Sequence, residues 1–294
     1  MKYSEQFAVV SQNLGFSGSP VSIRPCAGGC IHDSTVWQFA GGERIFVKFS
    51  AEPEDRRMLE AEFDALKCIA STRTVRCPAP LLAIEVPERG YALVLEFLEL
   101  GPLYRSAASQ LGEALAHLHQ CKANTFGFER DNFIGRTPQR NSEVSNWSEF
   151  FWQHRIRYQL ELARSRGYST LPLPSKIEFA IRNALSAHAP HPSLLHGDLW
   201  GGNAAALPDG TPVIFDPASY YGDRETDLAF TEMFGGFPAE FYQAYEASFP
   251  MDLGYRERKS LYNLYHYLNH LNLFGSSYLN SCHEILNHLE RRWS

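Results

Sequence analysis

The sequence predicts an α+β chain of two lobes, a small antiparallel sheet with one helix over residues 1–97 and a larger, mostly helical lobe over residues 98–294. Three observations lead there. Short β-branched and aromatic runs, separated by Gly and Pro turns, crowd the first third in the manner of a strand meander. From Ser106 onward apolar residues recur at three- and four-residue steps, the period of buried helix faces. Between helical stretches lies a Gly-rich segment, His196-Gly197-Asp198-Leu199-Trp200-Gly201-Gly202-Asn203, and after it an apolar run that ends in an acid, Val213-Ile214-Phe215-Asp216-Pro217.

The bulk properties set outer bounds. With 294 residues, 44% of them hydrophobic, the chain is long enough to fill a core in two lobes. The formal net charge is -6 and no long basic run occurs, which argues against a nucleic-acid partner, because that affinity rests on clustered Lys and Arg. No stretch approaches the ~18 apolar residues of a membrane span, and Met1 to Gln6 form no apolar signal region, so no membrane partner is expected. The six cysteines, Cys26, Cys30, Cys68, Cys77, Cys121 and Cys282, show no C-x-x-C spacing. In a chain of this size they read as reduced thiols of a cytoplasmic compartment.

Taken in order, Ser4 to Leu14 reads as a short helix, and Val21 to Arg24 as a strand. Ala27-Gly28-Gly29-Cys30-Ile31 follows; two glycines at a strand-to-strand bend let backbone N–H groups approach phosphates. Ser34 to Phe39 and Arg44 to Phe49 are the next strands, joined by Gly41-Gly42. Lys48, after the apolar Ile45-Phe46-Val47, stands where a kinase lysine reaches the α- and β-phosphates. Glu54 to Ala70 is an amphipathic helix marked by Met58, Leu59, Phe63, Leu66 and Ile69. Glu62 is placed to turn toward Lys48 as an ion pair, in preference to Glu60 two positions away on another face. Leu81 to Val86 and Tyr91 to Glu96 form a hairpin. Glu96, Phe97 and Leu98 then lead into Gly101-Pro102 as a hinge whose backbone groups could pair with adenine.

The second lobe begins with a helix carrying Leu111, Leu115, Leu118 and His119 on its buried stripe. Asn124 to Gln139 has the Gly, Asn, Asp and Pro content of an extended loop. Trp147 to Ala163, Pro174 to His188 and Leu261 to Phe274 read as further helices. His266 and His270, four residues apart in the last of these, read as buried or hydrogen-bonded histidines, since the glutamate of an H-E-x-x-H zinc motif is replaced by Tyr267.

The Gly-rich segment carries the chemistry. Asp198 and Asn203, separated by four residues, and the strand-terminal Asp216 have the spacing used to transfer a phosphoryl group from Mg-ATP. Asp198 would accept or orient the proton of an acceptor hydroxyl, and Asn203 and Asp216 would hold Mg²⁺, a hard cation that takes oxygen ligands. His196 reads as a structural hydrogen-bonder. The protein-kinase form of the motif, H-R-D-x-x-x-x-N, has Arg where Gly197 stands here, the form used on small molecules. Only ten residues separate Asp216 from Asp227, and no D-F-G or A-P-E occurs, so there is no room for a segment that docks a peptide. Asp227 would either cap the helix it opens or accept N–H groups from the catalytic loop.

These residues resemble the fructosamine kinases (ketosamine-3-kinases). The resemblance rests on His196 to Asn203, on Val213 to Asp223, and on Gly28-Gly29-Cys30-Ile31, Phe46-Val47-Lys48, Arg56-Arg57-Met58, Met233 to Phe237 and Tyr265 to His270. It implies a bilobal protein-kinase-like fold and ATP-dependent phosphorylation of the sugar 3-hydroxyl in ketosamines, either small molecules or glycated lysines on proteins, as a deglycation step. By motif match Asp198 is the base, Asn203 and Asp216 the metal ligands and Lys48 the phosphate contact, and Trp200 is placed to stack on the sugar. Cys30, at a position this family often fills with cysteine, is a candidate oxidation-sensitive thiol. A ketosamine amine is cationic, so Asp131 or Glu232 could face it. The rival readings are a phosphotransferase for another small hydroxyl amine, such as an aminoglycoside or choline-like compound, and a nucleotide-binding regulator without catalysis.

Overall fold

The structure is a computed structural model that describes residues 4–26, 33–87 and 90–293. The expected glycine bend, with Gly28, Gly29 and the Cys30 thiol, lies outside the described residues.

Helix α1 (Ser4–Leu14) precedes a five-stranded sheet built from β1 (Ser22–Pro25), β2 (Asp33–Gln38), β3 (Arg44–Ser50), β4 (Pro80–Val86) and β5 (Gly90–Glu96). The strand order is β1-β2-β3-β5-β4 and every pairing is antiparallel. Successive side chains on a strand point to opposite faces, and this assigns the residues of β3. Ile45, Val47 and Phe49 join Val10, Trp37, Ala92 and Val94 in the cluster on the α1 face. Lys48, out of phase with them, falls on the other face, where helix α2 (Asp55–Thr72) packs through Leu59, Leu66 and Ile69 on Leu93 and Leu95. The helix ends where Arg73 turns left-handed, with φ of 57°.

Backbone bonds fix the linker to the helical lobe and join that lobe to the sheet side. Gly101 exchanges two hydrogen bonds with Ala206 of β9 (Ala204–Ala206), at 2.8 and 3.0 Å. Ile214 of β10 (Pro212–Ile214) donates to the Arg76 carbonyl at 3.0 Å. The cluster under the sheet continues into Leu111, Leu115 and Leu118 of α3 (Arg105–His119) and Phe241 and Tyr245 of α8 (Ala239–Ser248). Gly112 permits this approach: a Cβ there would fall 2.1 Å from the Phe241 carbonyl oxygen.

The segment read as an extended loop contains a small hairpin, β6 (Asn132–Ile134) with β7 (Thr137–Gln139). The helix expected over Trp147 to Ala163 is α4 (Trp147–Phe151) and α5 (Tyr158–Ser165) joined by a π-helical stretch, Trp152–Arg157. Trp152, Arg155 and Ile156 of this stretch are buried. Helix α6 (Pro174–Leu185) begins on a proline at its first turn, where a missing N–H costs nothing. The pair β8 (Ser193–Leu194) and β11 (Tyr221–Gly222) and helix α7 (Glu225–Thr231) frame the Gly-rich loop, residues 196–203. Helix α9 (Tyr255–Phe274) starts six residues before the expected Leu261, and α10 (Leu279–Trp293) follows. No helix among the described residues is long and apolar enough to cross a membrane.

Candidate active site

Lys48 is the meeting point of the two lobes. Its Nζ lies 2.7 Å from Glu62 Oε1 on α2 and 2.7 Å from Asp216 Oδ1 in the helical lobe. Glu60, the competitor, instead accepts from Arg56 at 2.9 Å and from the Tyr91 hydroxyl at 3.1 Å. Burial would lower the Lys48 pKa, but the charges of Asp216 and Glu62 outweigh it and hold the ammonium above its ordinary value. Two carboxylates thus share one buried cation. Burial pushes Glu62 upward against the pull of Lys48.

Asp216 reaches this position through an unusual backbone. It takes φ of 56°, a left-handed conformation that Asp tolerates better than most side chains. The preceding residue anchors it, since the Phe215 N–H donates to Asn203 O at 3.1 Å and the Phe215 carbonyl lies 3.0 Å from His196 Nε2.

Asp198 and Asn203 sit together on the loop. Asn203 Nδ2 donates to the Asp198 carbonyl at 2.8 Å and to Asp198 Oδ2 at 3.2 Å. This commits the amide nitrogen inward and leaves the amide oxygen as the ligand end. An amide oxygen and a carboxylate are the hard donors that magnesium takes, so Asn203 and Asp216 fit such an ion. Burial, then the nearby Asp216 charge, pushes the Asp198 carboxyl well above the usual carboxylate range, with the Asn203 bond opposing. A carboxylate so shifted is a better proton acceptor than an exposed one.

Asp227 shapes the loop. It stands inside the first turn of α7, whose N-cap position is Arg224, so it does not cap the helix. Its carboxylate accepts the N–H of His196 at 2.7 Å and of Gly197 at 2.8 Å, and lies 3.1 Å from His119 Nε2. His119 is held in turn by the Tyr245 hydroxyl at 2.8 Å. The sequence reading placed His119 only on a buried stripe and missed Tyr245; their partners lie more than a hundred residues away, with no local signal. Gly197 explains the absence of the protein-kinase Arg. Its φ is 83°, and a Cβ would fall 2.1 Å from the Ala218 carbonyl oxygen. His196 is buried, its pKa lowered by burial, and the Asp198 N–H donates to its Nδ1 at 3.2 Å. It is a neutral strut.

Trp200 is 39% exposed and therefore not a core residue. Its ring folds over Gly202, whose missing Cβ leaves the space, and meets the Phe234 ring edge-on at 6.0 Å. The aromatic wall continues through His270, 5.3 Å from Phe234. His270 Nδ1 lies 2.7 Å from the His266 carbonyl, and His266 stacks on Phe230 at 3.6 Å. Neither carboxylate suggested for the substrate amine is uncommitted. Asp131 accepts the Asn141 N–H at 2.7 Å, and Glu232 is held by the Tyr255 hydroxyl at 2.6 Å and Lys259 at 2.7 Å.

At the hinge, Glu96 is occupied by the fold. Its carboxylate takes both oxygens to Arg76 at 2.5 Å, and its N–H donates to Ala79 O at 2.9 Å. Strand pairing ends at Ile45↔Glu96. Phe97, beneath the Arg44 guanidinium at 4.5 Å, and Leu98 continue as irregular backbone, where main-chain groups could meet a base.

The sequence profile of the family described as "Fructosamine kinase" matches residues 3–292. A probable ketoamine kinase of Synechocystis is 44% identical over 274 residues, covering 92% of each chain. The ketosamine-3-kinase of Mus musculus is 38% identical, covering 90% of this chain and 93% of its own. A crystal structure of a candidate fructosamine-3-kinase from Haemophilus somnus superposes with a TM-score of 0.89 at 29% identity, covering 98% of this chain and 97% of the other.

Proposed function

The chain belongs to the fructosamine kinase family, and from that premise we propose that it transfers the terminal phosphoryl group of ATP to the 3-hydroxyl of a ketosamine sugar. The observation that carries this reading is the contact of Lys48 with both Glu62 and Asp216, beside a loop that presents Asp198 and Asn203 together.

In this account Lys48, oriented by Glu62, holds the α- and β-phosphates, and the backbone of Phe97 and Leu98 meets the adenine. Asn203 and Asp216 would hold magnesium, which when bound would neutralise charge on the transferring phosphate. Asp198 orients the acceptor hydroxyl and takes its proton as the new P–O bond forms. The bond to the bridging oxygen of ADP breaks in the same displacement. Trp200 and Phe234 wall the sugar. Enolisation of the product and elimination of its 3-phosphate leave an imine of a 3-deoxy dicarbonyl sugar, and hydrolysis of that C=N bond by water frees the amine, which makes the reaction a deglycation step.

The acceptor class comprises small ketosamines and glycated lysines of proteins. We place the lobe boundary at Phe97/Leu98 and the protein in the cytoplasm. Supporting the latter, Cys68, Cys77, Cys121 and Cys282 form no disulfide, the pattern expected in a reducing compartment.

The test is phosphate transfer from MgATP across an acceptor panel: fructosyl-lysine, ribulosyl-lysine, a glycated protein, an aminoglycoside and choline. Turnover of the ketosamines supports the reading. Turnover confined to the aminoglycoside or choline, or nucleotide binding with no transfer, overturns it.

A further inference from the structure

The two carboxylates that share Lys48 come from different lobes, yet one short hairpin touches the supports of both. On its inner side, β6–β7 is hydrogen-bonded to the segment that follows Asp216. Asn132 Nδ2 donates to Ser219 O at 2.8 Å, and Gln139 Nε2 donates to Ala218 O at 3.0 Å. These two amides are bonded to each other at 2.8 Å, and the Tyr265 hydroxyl closes the network on Gln139 Oε1 at 2.7 Å. Both amides are almost fully buried. On its outer side the hairpin turn carries Arg136, which donates to Asp55 Oδ1 at 3.1 Å at the start of α2. The other oxygen of Asp55 accepts from Ser50 at the end of β3, at 2.7 Å. Just before the hairpin, Arg130 donates to the Glu60 carbonyl at 3.1 Å and pairs with Asp64 on the same helix.

We propose that the β6–β7 hairpin is a strut that fixes α2 relative to the Asp216 segment, with Arg136, Asn132 and Gln139 as positioning residues for the Lys48 triad. This deepens the kinase reading and rests on it. The physical argument is directional. Helix α2 must hold Glu62 against Lys48 while the segment after Asp216 holds the other carboxylate, and an ion pair shared three ways tolerates little drift. Buried amides with fixed donors and acceptors set such a distance more sharply than apolar packing does. Asp55 is almost fully buried, so its bond to Arg136 is a charge-assisted one, screened less than a pair between two exposed side chains. The stretch between Asp216 and Asp227 touches α2 near its C-terminal end, where the Tyr221 hydroxyl and the Cys68 thiol share a hydrogen bond, and the hairpin ties the N-terminal part of the helix, nearer Glu62.

The experiment measures steady-state kinetics of the full-length protein with MgATP and a ketosamine acceptor. Arg136, half exposed, is the variant expected to fold. Arg136→Gln raises KM for MgATP by about tenfold, an effect in the range for loss of a positioning contact, and leaves KM for the acceptor unchanged. Arg136→Lys restores most of the loss, and Asp55→Asn combined with Arg136→Gln costs no more than the worse single change. Gln139→Leu lowers kcat with the melting temperature of Arg136→Gln as its reference. The proposal is overturned if Arg136→Gln lowers only the melting temperature, or if the two changes add. Lys48→Met separates the failures. If it leaves turnover intact, the kinase reading itself falls; if it lowers kcat/KM for MgATP about 100-fold or more while Arg136→Gln leaves KM for MgATP unchanged, the strut alone falls.

Discussion

Lys48 and Asp216, 168 residues apart in the chain, meet at 2.7 Å across the boundary between the sheet and the helical lobe. The contact closes the cleft on one buried cation. Lys48→Met is expected to lower kcat/KM for MgATP by about 100-fold, the usual effect of removing a charge aimed at a reacting phosphate. It also strands Glu62, which costs about 3 kcal/mol when one partner of a buried pair is removed. Adding Glu62→Gln should recover much of that stability in urea melts without recovering turnover.

Asp227 holds the catalytic loop by its backbone. Burial would raise its pKa, but the hydrogen bond and charge of His119 and the Gly197 N–H bring it below the ordinary value. Its folded pKa therefore lies under its unfolded one. The stability it contributes is full above about pH 4, the unfolded value, and is lost as pH falls through the folded pKa. The stability gap between wild type and Asp227→Asn should be constant near neutrality and shrink in acid, as followed by denaturant melts at pH 7, 4 and 3. Turnover at pH 7 should fall about 100-fold, since a misplaced base costs on that scale.

Gly197→Ala combines a left-handed φ with a collision at the Ala218 carbonyl. A cost of about 3 kcal/mol is expected from strain and overpacking together, with loss of transfer. Calorimetry and an activity assay check both.

His188 gives the opposite pH signature. Burial would lower its pKa, but the bond and charge of Asp223 and the charge of Glu225 raise it above the ordinary value. Its contribution is complete below about pH 6.5, the unfolded value, and fades as pH rises through the folded pKa. His188→Gln should therefore lose more stability at pH 6 than at pH 9. An equal loss at both would show that the imidazole is uncharged in the fold.

Much of this site was legible because its signals are short-range. Asp198, Asn203 and Asp216 lie within nineteen positions, and the pattern of β3 put Lys48 opposite Val47. Choosing Glu62 over Glu60 needed only the helix period. What stayed hidden was held by contacts distant in sequence. The β6–β7 hairpin read as loop because its three-residue strands are too short for periodicity, and its order comes from Asn132 and Gln139 meeting Ser219 and Ala218. His119 and Tyr245 support Asp227 from two helices joined by no motif. The π-helical stretch at Trp152 to Arg157 keeps an amphipathic pattern that an α-helix fits equally well. The expectation for Asp131 and Glu232 rests on charge alone, and in the fold each has an internal partner.

The most direct test is to locate the phosphate in the product. Wild-type protein, MgATP and fructosyl-lysine should yield a phosphomonoester whose ³¹P–¹H correlation falls on carbon 3 of the sugar, and Asp198→Asn should bind nucleotide yet form none of it. Phosphate on another hydroxyl, or undiminished product from Asp198→Asn, would contradict the account.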